Sequence, residues 1–577
     1  MRMHRRVQAW GGTPSIPHAR GASRWMACGL AGFLLSSSNL LSETPASSSS
    51  PRSPTPLVAP GADDWFVDVT SQSGIQFLHQ FPHTRIANIL LSNGTGAAVF
   101  DYDGDGLVDL YFLNWGPLPG VSSSKYTAKR EPNRLYRNLG NGRFEDQTLK
   151  AGLSGSGFNY AVCAGDYDND GHEDLYVTGV GQSFLYHNRG DGTFEEVTSK
   201  AGVGNQQTGV SAVFLDIDRD GFLDLFVANY LTFDPSTVSE QNPGAYPGPL
   251  AYPGEANVLF RNRGDGTFED VSVKAGIRVP GHRAMSVSAF DCDWDGDTDL
   301  YLSNDDTPNM LWLNDGRGRF LEVAIASGVA FNSIGEACGS MNAATGDCDG
   351  DGLPDLFVTR LGYGSLYLRR TNGLYEDRIY ASGLGAITQR FVGWGGSLLD
   401  MENDGDLDVF IANGDAFTLE GDRSLLVENQ GAAKFVDASR KGGAFFQVKI
   451  QGRGSAGLDY DDDGKMDLLV TALADRAVLL RNRCPSAGHW LKLDLQGTKS
   501  NRDGFGALIT VVANGKEYRA EALCPTGFLT QGDRRVHFGL GQATRVESLT
   551  IRWPSGRTQR LEGIKVDQVL RVMEPTS

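Results

Sequence analysis

Short apolar runs recur along most of the chain, and each starts directly after an acidic stretch. Leu110-Tyr111-Phe112, Leu225-Phe226-Val227 and Leu356-Phe357-Val358 show no polar alternation, which predicts strands buried on both faces. A second phrase follows most of them. Leu135-Tyr136-Arg137-Asn138 leads through Gly140-Asn141-Gly142 to Phe144-Glu145-Asp146. Leu185-Tyr186-His187-Asn188 leads to Phe194, and Leu259-Phe260-Arg261-Asn262 to Phe268-Glu269-Asp270. Glycine with Asn or Asp between two strand-like runs predicts a tight hairpin, because these residues accept positive φ. An Ala-Gly-apolar phrase comes next, as at Ala151-Gly152-Leu153 and Ala275-Gly276-Ile277. Each unit therefore reads as four strands: one before the acidic loop, one after it, and a hairpin.

Seven such units fill residues 64–485, and their acidic loops lie 50 to 75 residues apart. Four-stranded units repeated in series predict an all-β, seven-bladed β-propeller. The seventh unit ends at Val478-Leu479-Leu480-Arg481-Asn482 without its fourth strand. The missing phrase stands near the N-terminus as Trp65-Phe66-Val67-Asp68-Val69-Thr70, so the N-terminal strand is expected to close the last blade and remove an exposed edge. In residues 486–577, Trp490-Leu491-Lys492-Leu493-Asp494-Leu495 alternates cleanly, with turns at Asn514-Gly515 and Pro554-Ser555-Gly556. That predicts a small β-sandwich-like domain with Trp553 in its core. Its residues 500–506 mix charge with glycine and read as a structural turn or a contact site.

The acidic loops carry the chemistry. In the first, Asp101, Asp103, Asp105 and Asp109 occupy positions 1, 3, 5 and 9, with Gly106 at position 6, where a sharp turn wants no Cβ. The same frame holds Asp166, Asp168, Asp170 and Asp174, then Asp216, Asp218, Asp220 and Asp224, then Asp291, Asp293, Asp295 and Asp299. It continues with Asp347, Asp349, Asp351 and Asp355, then Asp400, Glu402, Asp404 and Asp408, and finally Asp459, Asp461, Asp463 and Asp467. Two such carboxylates 4 Å apart repel by roughly 4 kcal/mol at an effective dielectric of about 20. A bound cation would relieve this, and all-oxygen ligation on a flexible loop suits Ca²⁺ better than the stricter octahedron of Mg²⁺. About seven structural Ca²⁺ ions are expected. An EF-hand is excluded, since its loop needs a bidentate Glu at position 12. Here position 12 is Phe112, Val177, Val227, Leu302, Val358, Ile411 or Val470.

These loops and strands resemble the FG-GAP/VCBS repeats of integrin-α-type propellers. Ser500-Asn501-Arg502-Asp503-Gly504-Phe505-Gly506-Ala507, His537-Phe538-Gly539-Leu540-Gly541 and Arg552-Trp553-Pro554-Ser555-Gly556 resemble the ASPIC/UnbV domain of the cartilage acidic protein family. The resemblance implies a secreted or surface-exposed, calcium-binding protein of a family mostly without a defined activity. Animal members add a calcium-binding EGF-like module after this domain, so the chain looks like the bacterial type.

Residues 1–24 hold five arginines and no acid, and the stretch that follows to Leu41 is mostly apolar or small. This predicts an export signal over residues 1–46 and a Ser/Pro-rich linker over 47–63, not a membrane span. A periplasmic, cell-surface or secreted location follows. The formal net charge of −18 is largely a count of metal ligands and speaks against a nucleic-acid partner. Six cysteines follow the leader without zinc or redox spacing. Cys292 with Cys348, and Cys484 with Cys524, are candidate disulfides, with buried free thiols the alternative.

No catalytic constellation appears: there is no HExxH, no GxSxG and no phosphate loop. One insertion, residues 230–254, interrupts the third unit and sets Tyr246 and Tyr252 among prolines. It reads either as aromatic surface for a sugar ring or protein, or as a loop packed over the propeller. Two functions stay open. One is a binding, adhesion or scaffolding module for an extracellular protein or glycan. The other is an extracytoplasmic hydrolase or lyase acting on polysaccharide, with acids in a central funnel or at Asp234 and Glu240 of the insertion.

Overall fold

In the computed structural model the described residues are 55, 59–81, 83–118, 120–122, 131–155, 157–239, 245–485 and 488–576. The expected export signal, most of the linker and Glu240 lie outside them. The described residues are all-β apart from single helical turns, and repeated four-stranded antiparallel sheets make up the larger part.

The first sheet runs Ala97–Phe100, Asp109–Phe112, Arg134–Asn138, Phe144–Asp146, each strand pairing with the next. Five further sheets repeat this meander. In the seventh, the strands Gly452–Leu458, Asp467–Ala472 and Val478–Asn482 are joined by Phe66–Asp68, with Phe66 opposite Asn482 and Asp68 opposite Leu480. The second strands are apolar because both of their faces are covered. All six residues of Asp174–Gly179 are buried, as are all six of Asp224–Asn229. Aliphatic and aromatic clusters fill the gaps between neighbouring sheets, such as Phe100, Tyr111 and Leu135 of the first with Val162, Leu175 and Tyr186 of the second.

The hairpin phrase folds as the sequence suggests: Gly140, Asn141 and Gly142 all take positive φ, and Leu139 N–H donates to Arg143 O at 2.8 Å. The Ala-Gly phrase does something the strand reading missed. It forms one helical turn, Thr148–Ala151, stopped by Gly152 in the left-handed region at φ 77°.

Residues 489–573 form two further sheets. One sets His489–Gln496 antiparallel to Val536–Gly541 and parallel to Gln568–Met573. The other orders Lys516–Glu521, Leu508–Ala513, Arg545–Arg552 and Thr558–Lys565. Leu491, Leu493 and Leu495 meet Ile509, Val511 and Leu549 between them, as a sandwich requires. Trp553 lies in that core, 1% exposed, its Nε1 donating to Gln559 Oε1 at 3.1 Å.

Between the strands Lys516–Glu521 and Val536–Gly541, residues 523–533 leave the sandwich as a finger that runs among the first strands of the sheets. Gln531 N–H donates to Ala97 O, and its Oε1 accepts from Ala164 N–H at 2.6 Å. Thr526 Oγ1 donates to Val287 O and Thr530 Oγ1 to Ser455 O, both at 2.7 Å. Phe528 packs on Trp394, 5.2 Å between ring centres.

Among its described residues, the insertion in the third unit offers no exposed aromatic platform. Tyr252 is 2% exposed, and Tyr246 stacks on Phe417 while its Oη donates to Ala416 O at 2.6 Å. Both rings join the apolar cluster of Trp115, Phe158 and Trp394, because covering that cluster buries more apolar surface than projecting into water would. The expected disulfides do not form; all six cysteines remain thiols. Cys292 lies against the Arg369 guanidinium at 3.6 Å, and Cys524 donates to Gln531 Oε1 within the finger at 3.2 Å. Among the described residues no helix is long and apolar enough to cross a membrane.

Candidate metal centres

All seven acidic loops share one backbone. The residue at position 4 is left-handed in every copy: Gly104, Asn169, Arg219, Trp294, Gly350, Asn403 and Asp462, with φ between 52° and 75°. The glycine at position 6 is left-handed as well, from Gly464 at 82° to Gly296 at 102°. These two kinks curl the loop so that its N–H groups point inward. The position-1 carboxylate takes them: Asp101 accepts from Gly104, Asp105 and Gly106 at 2.8 to 3.1 Å. In every loop the position-6 glycine N–H reaches the position-1 aspartate.

The position-9 aspartate opens the following strand and is at most 2% exposed in every copy. One of its oxygens accepts from the position-2 N–H and the other from the third strand, as Asp224 does from Ile217 at 2.8 Å and Asn262 at 2.7 Å. The asparagine of the Leu-Tyr-Arg-Asn phrase thus has a role that sequence reading missed. Its side chain also ties its own loop to the preceding one: Asn262 Nδ2 donates to Leu223 O at 2.9 Å and to Tyr167 O at 2.8 Å. Asn188, Asn314, Asn429 and Asn482 repeat the bridge, and Asn138 makes it to Tyr460 O of the seventh loop. Asn262→Ala should cost about 3 kcal/mol, since it leaves two buried carbonyls and the Gly264 N–H unpaired; a urea midpoint within error of wild type would refute this.

Positions 1, 3, 5 and 9 come together as donor sets. Ligand atoms of Asp101, Asp103 and Asp109 lie within 4.8 Å of one another, as do those of Asp166, Asp168 and Asp170, of Asp216, Asp218 and Asp224, and of Asp291, Asp293 and Asp295. The fifth to seventh loops keep the same hydrogen-bonded frame around Asp347 and Asp355, Asp400 and Asp408, and Asp459 and Asp467. Glu402 reaches to Asp408. The second loop adds an unforeseen donor, His187, whose Nδ1 is 3.2 Å from Asp174 and 3.4 Å from Asp168.

The charge is not left wholly to a cation, as the sequence had suggested. Arg137 pairs with Asp103 and Asp105, Arg261 with Asp218 and Asp220, and Arg481 with Asp461 and Asp463, all at 2.5 to 3.1 Å. These arginines sit two strands downstream of their loops, where only the fold brings them back. They engage one side of the loop and leave the other. One buried oxygen each of Asp103, Asp168, Asp218, Asp349 and Asp461, all at position 3, accepts no hydrogen bond. Burial is also the main reason the Asp109 carboxyl is pushed up to about 9 and that of Asp400 to about 8. A buried carboxylate oxygen without a donor, in a trio of acids whose ligand atoms lie within 4.8 Å of one another, as in the first three loops, fits a hard cation.

The family model for FG-GAP-like repeats matches residues 101–177, 166–227, 250–302, 291–358 and 347–411, about half of the chain. The model for ASPIC and UnbV matches residues 497–577. Cartilage acidic protein 1 from Homo sapiens is 24% identical over 500 residues, which cover 84% of this chain and 63% of that protein. The Mus musculus protein is 24% identical over 366 residues, covering 60% and 52%. The chain thus spans less than two thirds of the length of these relatives. Among solved structures, an Agrocybe aegerita lectin that recognises non-reducing terminal N-acetylglucosamine superposes with a TM-score of 0.37 at 16% identity, covering 60% of this chain and 79% of that one.

Proposed function

This chain belongs to the FG-GAP-like repeat family and carries an ASPIC and UnbV domain; on that premise we propose that it is an exported, calcium-binding β-propeller protein that serves as a binding or scaffolding module for an extracellular protein or glycan. The observation that carries the calcium reading is the recurrence of an undonated, buried position-3 oxygen in five of the seven loops. Positions 1, 3, 5 and 9 would hold the ions, which would neutralise the loops and stiffen them.

A closed ring of seven blades is supported by the place of Phe66–Asp68 in the seventh sheet and by the Asn138 bridge to Tyr460. The strand Gly452–Leu458 also touches Ala97–Phe100 of the first sheet. Export is supported by the basic and apolar start of the chain. Among the described residues the enzyme reading gains no observation: the finger runs along the first strands, and Asp234 is an exposed turn residue accepting from Ser236.

Asp220→Ala should lower the melting temperature by about 2–3 °C in calcium at about a hundredfold its dissociation constant, and by much less in chelator. Equal melting of variant and wild type in calcium would sink a structural role for the third loop. Binding is tested by incubating residues 62–577 with immobilised cell-surface polysaccharides, with calcium and then with chelator. Calcium-dependent retention without released fragments is the expected result. Released fragments would make it an enzyme, and no retention would move the search to protein partners.

A further inference from the structure

The C-terminal sandwich rests on the acidic loops themselves. Asp503, 5% exposed, accepts the N–H of Asp166 at 2.8 Å, and Glu521 accepts that of Asp291 at 2.7 Å. Both N–H groups belong to position 1 of an acidic loop. Position-6 glycines lie equally close: a Cβ on Gly221 would come within 2.5 Å of Lys499 O, one on Gly296 within 2.6 Å of Arg552, and one on Gly405 within 2.7 Å of Tyr518.

The sign of these contacts depends on what the loops hold. Asp503 and Glu521 each bring a carboxylate against a loop that already carries four. Arg534 lies 3.9 Å from Asp503, but it is shared with Glu173 and Asp494, and the second guanidinium here, Arg571, pairs with Asp494 at 2.7 Å, so two guanidiniums serve three acids. The other oxygen of Glu521 is buried and accepts no hydrogen bond. Against an empty loop these carboxylates are repelled; against a cation-filled loop they are attracted. At the seventh loop the sign is reversed, where the fully buried Lys492 meets Asp459; at the fourth, Arg552 lies 4.0 Å from Asp291 but is 44% exposed, so solvent screens it and it offsets Glu521 only in part.

We propose that cation occupancy of the second and fourth loops sets whether the C-terminal domain is docked, and with it whether the finger of residues 523–533 is seated among the first strands. Filled loops hold the domain through Asp503 and Glu521. Emptied loops repel it there, and it swings about the Lys492–Asp459 contact, drawing the finger out. By reciprocity the docked domain tightens cation binding at the same two loops. This rests on the calcium reading above.

Cys524, at the root of the finger, reports the movement: it is 3% exposed and a free thiol, whereas Cys338 is half-buried and serves as an internal reference. The full chain is treated with a maleimide in calcium and in chelator, below the melting transition of the chelated protein, with β-structure followed by circular dichroism. Labelling of Cys524 relative to Cys338 is read by mass spectrometry. Chelation should speed it about tenfold without loss of β signal. The variant Asp503→Asn/Glu521→Gln keeps both hydrogen-bond acceptors and removes two charges. Its Cys524 should stay protected in chelator, whereas a merely structural role would leave it less protected than wild type.

Calcium uptake measured on the same sample separates the two readings. No uptake removes the calcium reading and this proposal with it. Uptake with unchanged Cys524 labelling overturns the coupling alone, as does labelling that appears only with global unfolding. A variant that labels as fast as wild type in chelator overturns the electrostatic mechanism; should the double variant not fold, the two single variants carry the same comparison.

Discussion

Chelation should lower the melting temperature of the full chain by about 15–20 °C in comparison with calcium at about a hundredfold its dissociation constant. Each occupied site then contributes about 2.7 kcal/mol to the folded state, so seven contribute on the order of 15–20 kcal/mol. A chain with about 500 folded residues unfolds with an entropy of roughly 1 kcal/mol per kelvin, which converts that sum to about the same number of degrees. The effect should be large because the position-9 aspartates are buried and the loops are tied together: Asn262 and its equivalents link each loop to the one before it. Loosening one loop therefore loosens its neighbour. Differential scanning calorimetry in calcium and in chelator decides the matter, and a shift under about 3 °C would mean the loops are held by their arginines and backbone donors alone.

Gly96→Ala should be the most damaging single methyl that can be added to the molecule. A Cβ there would lie 1.6 Å from the carbonyl oxygen of Leu529, which is backbone of the finger and cannot turn aside. Gly96 is itself anchored, donating to Tyr160 O at 2.8 Å and accepting from Leu113 N–H at 3.0 Å. Either the finger is displaced or the first sheet shifts, and about 4 kcal/mol or more should be lost. Gly104→Ala is the control: φ is +73° and no atom lies within 4 Å, so only the left-handed backbone is penalised, by about 1–2 kcal/mol. Equal stabilities for the two variants would mean that the finger is not seated against Gly96 in solution.

The sheets were legible because their information is local. Apolar runs buried on both faces, hairpin glycines and the acidic frame are each written within a dozen residues. What was not legible depends on distance. Arg261 guards Asp218 across 43 residues, and Gln531 meets Ala164 across 367. Position 4 of the loops escaped notice for another reason: Gly, Asn, Arg, Trp and Asp all stand there, so the shared left-handed backbone has no shared residue. Residues 523–533 carry neither strand alternation nor helical spacing, since their shape is imposed by the strands around them. The aromatic insertion was open to two readings, and burial against Trp115 and Trp394 decided for the packed one.

The strand Phe66–Asp68 and the residues just after it find their partners only when the seventh unit exists; Thr70 Oγ1 waits for the N–H of Leu479 across 409 residues. At ordinary elongation rates of about 5–20 residues per second, that is an interval of about 20–80 s in which the ends of the repeat array cannot meet. A ribosome carrying this chain therefore holds an open row of sheets, its first and last units unjoined, until the seventh unit has been made. Late assembly is thus a property of the chain order itself and needs no holding factor to impose it.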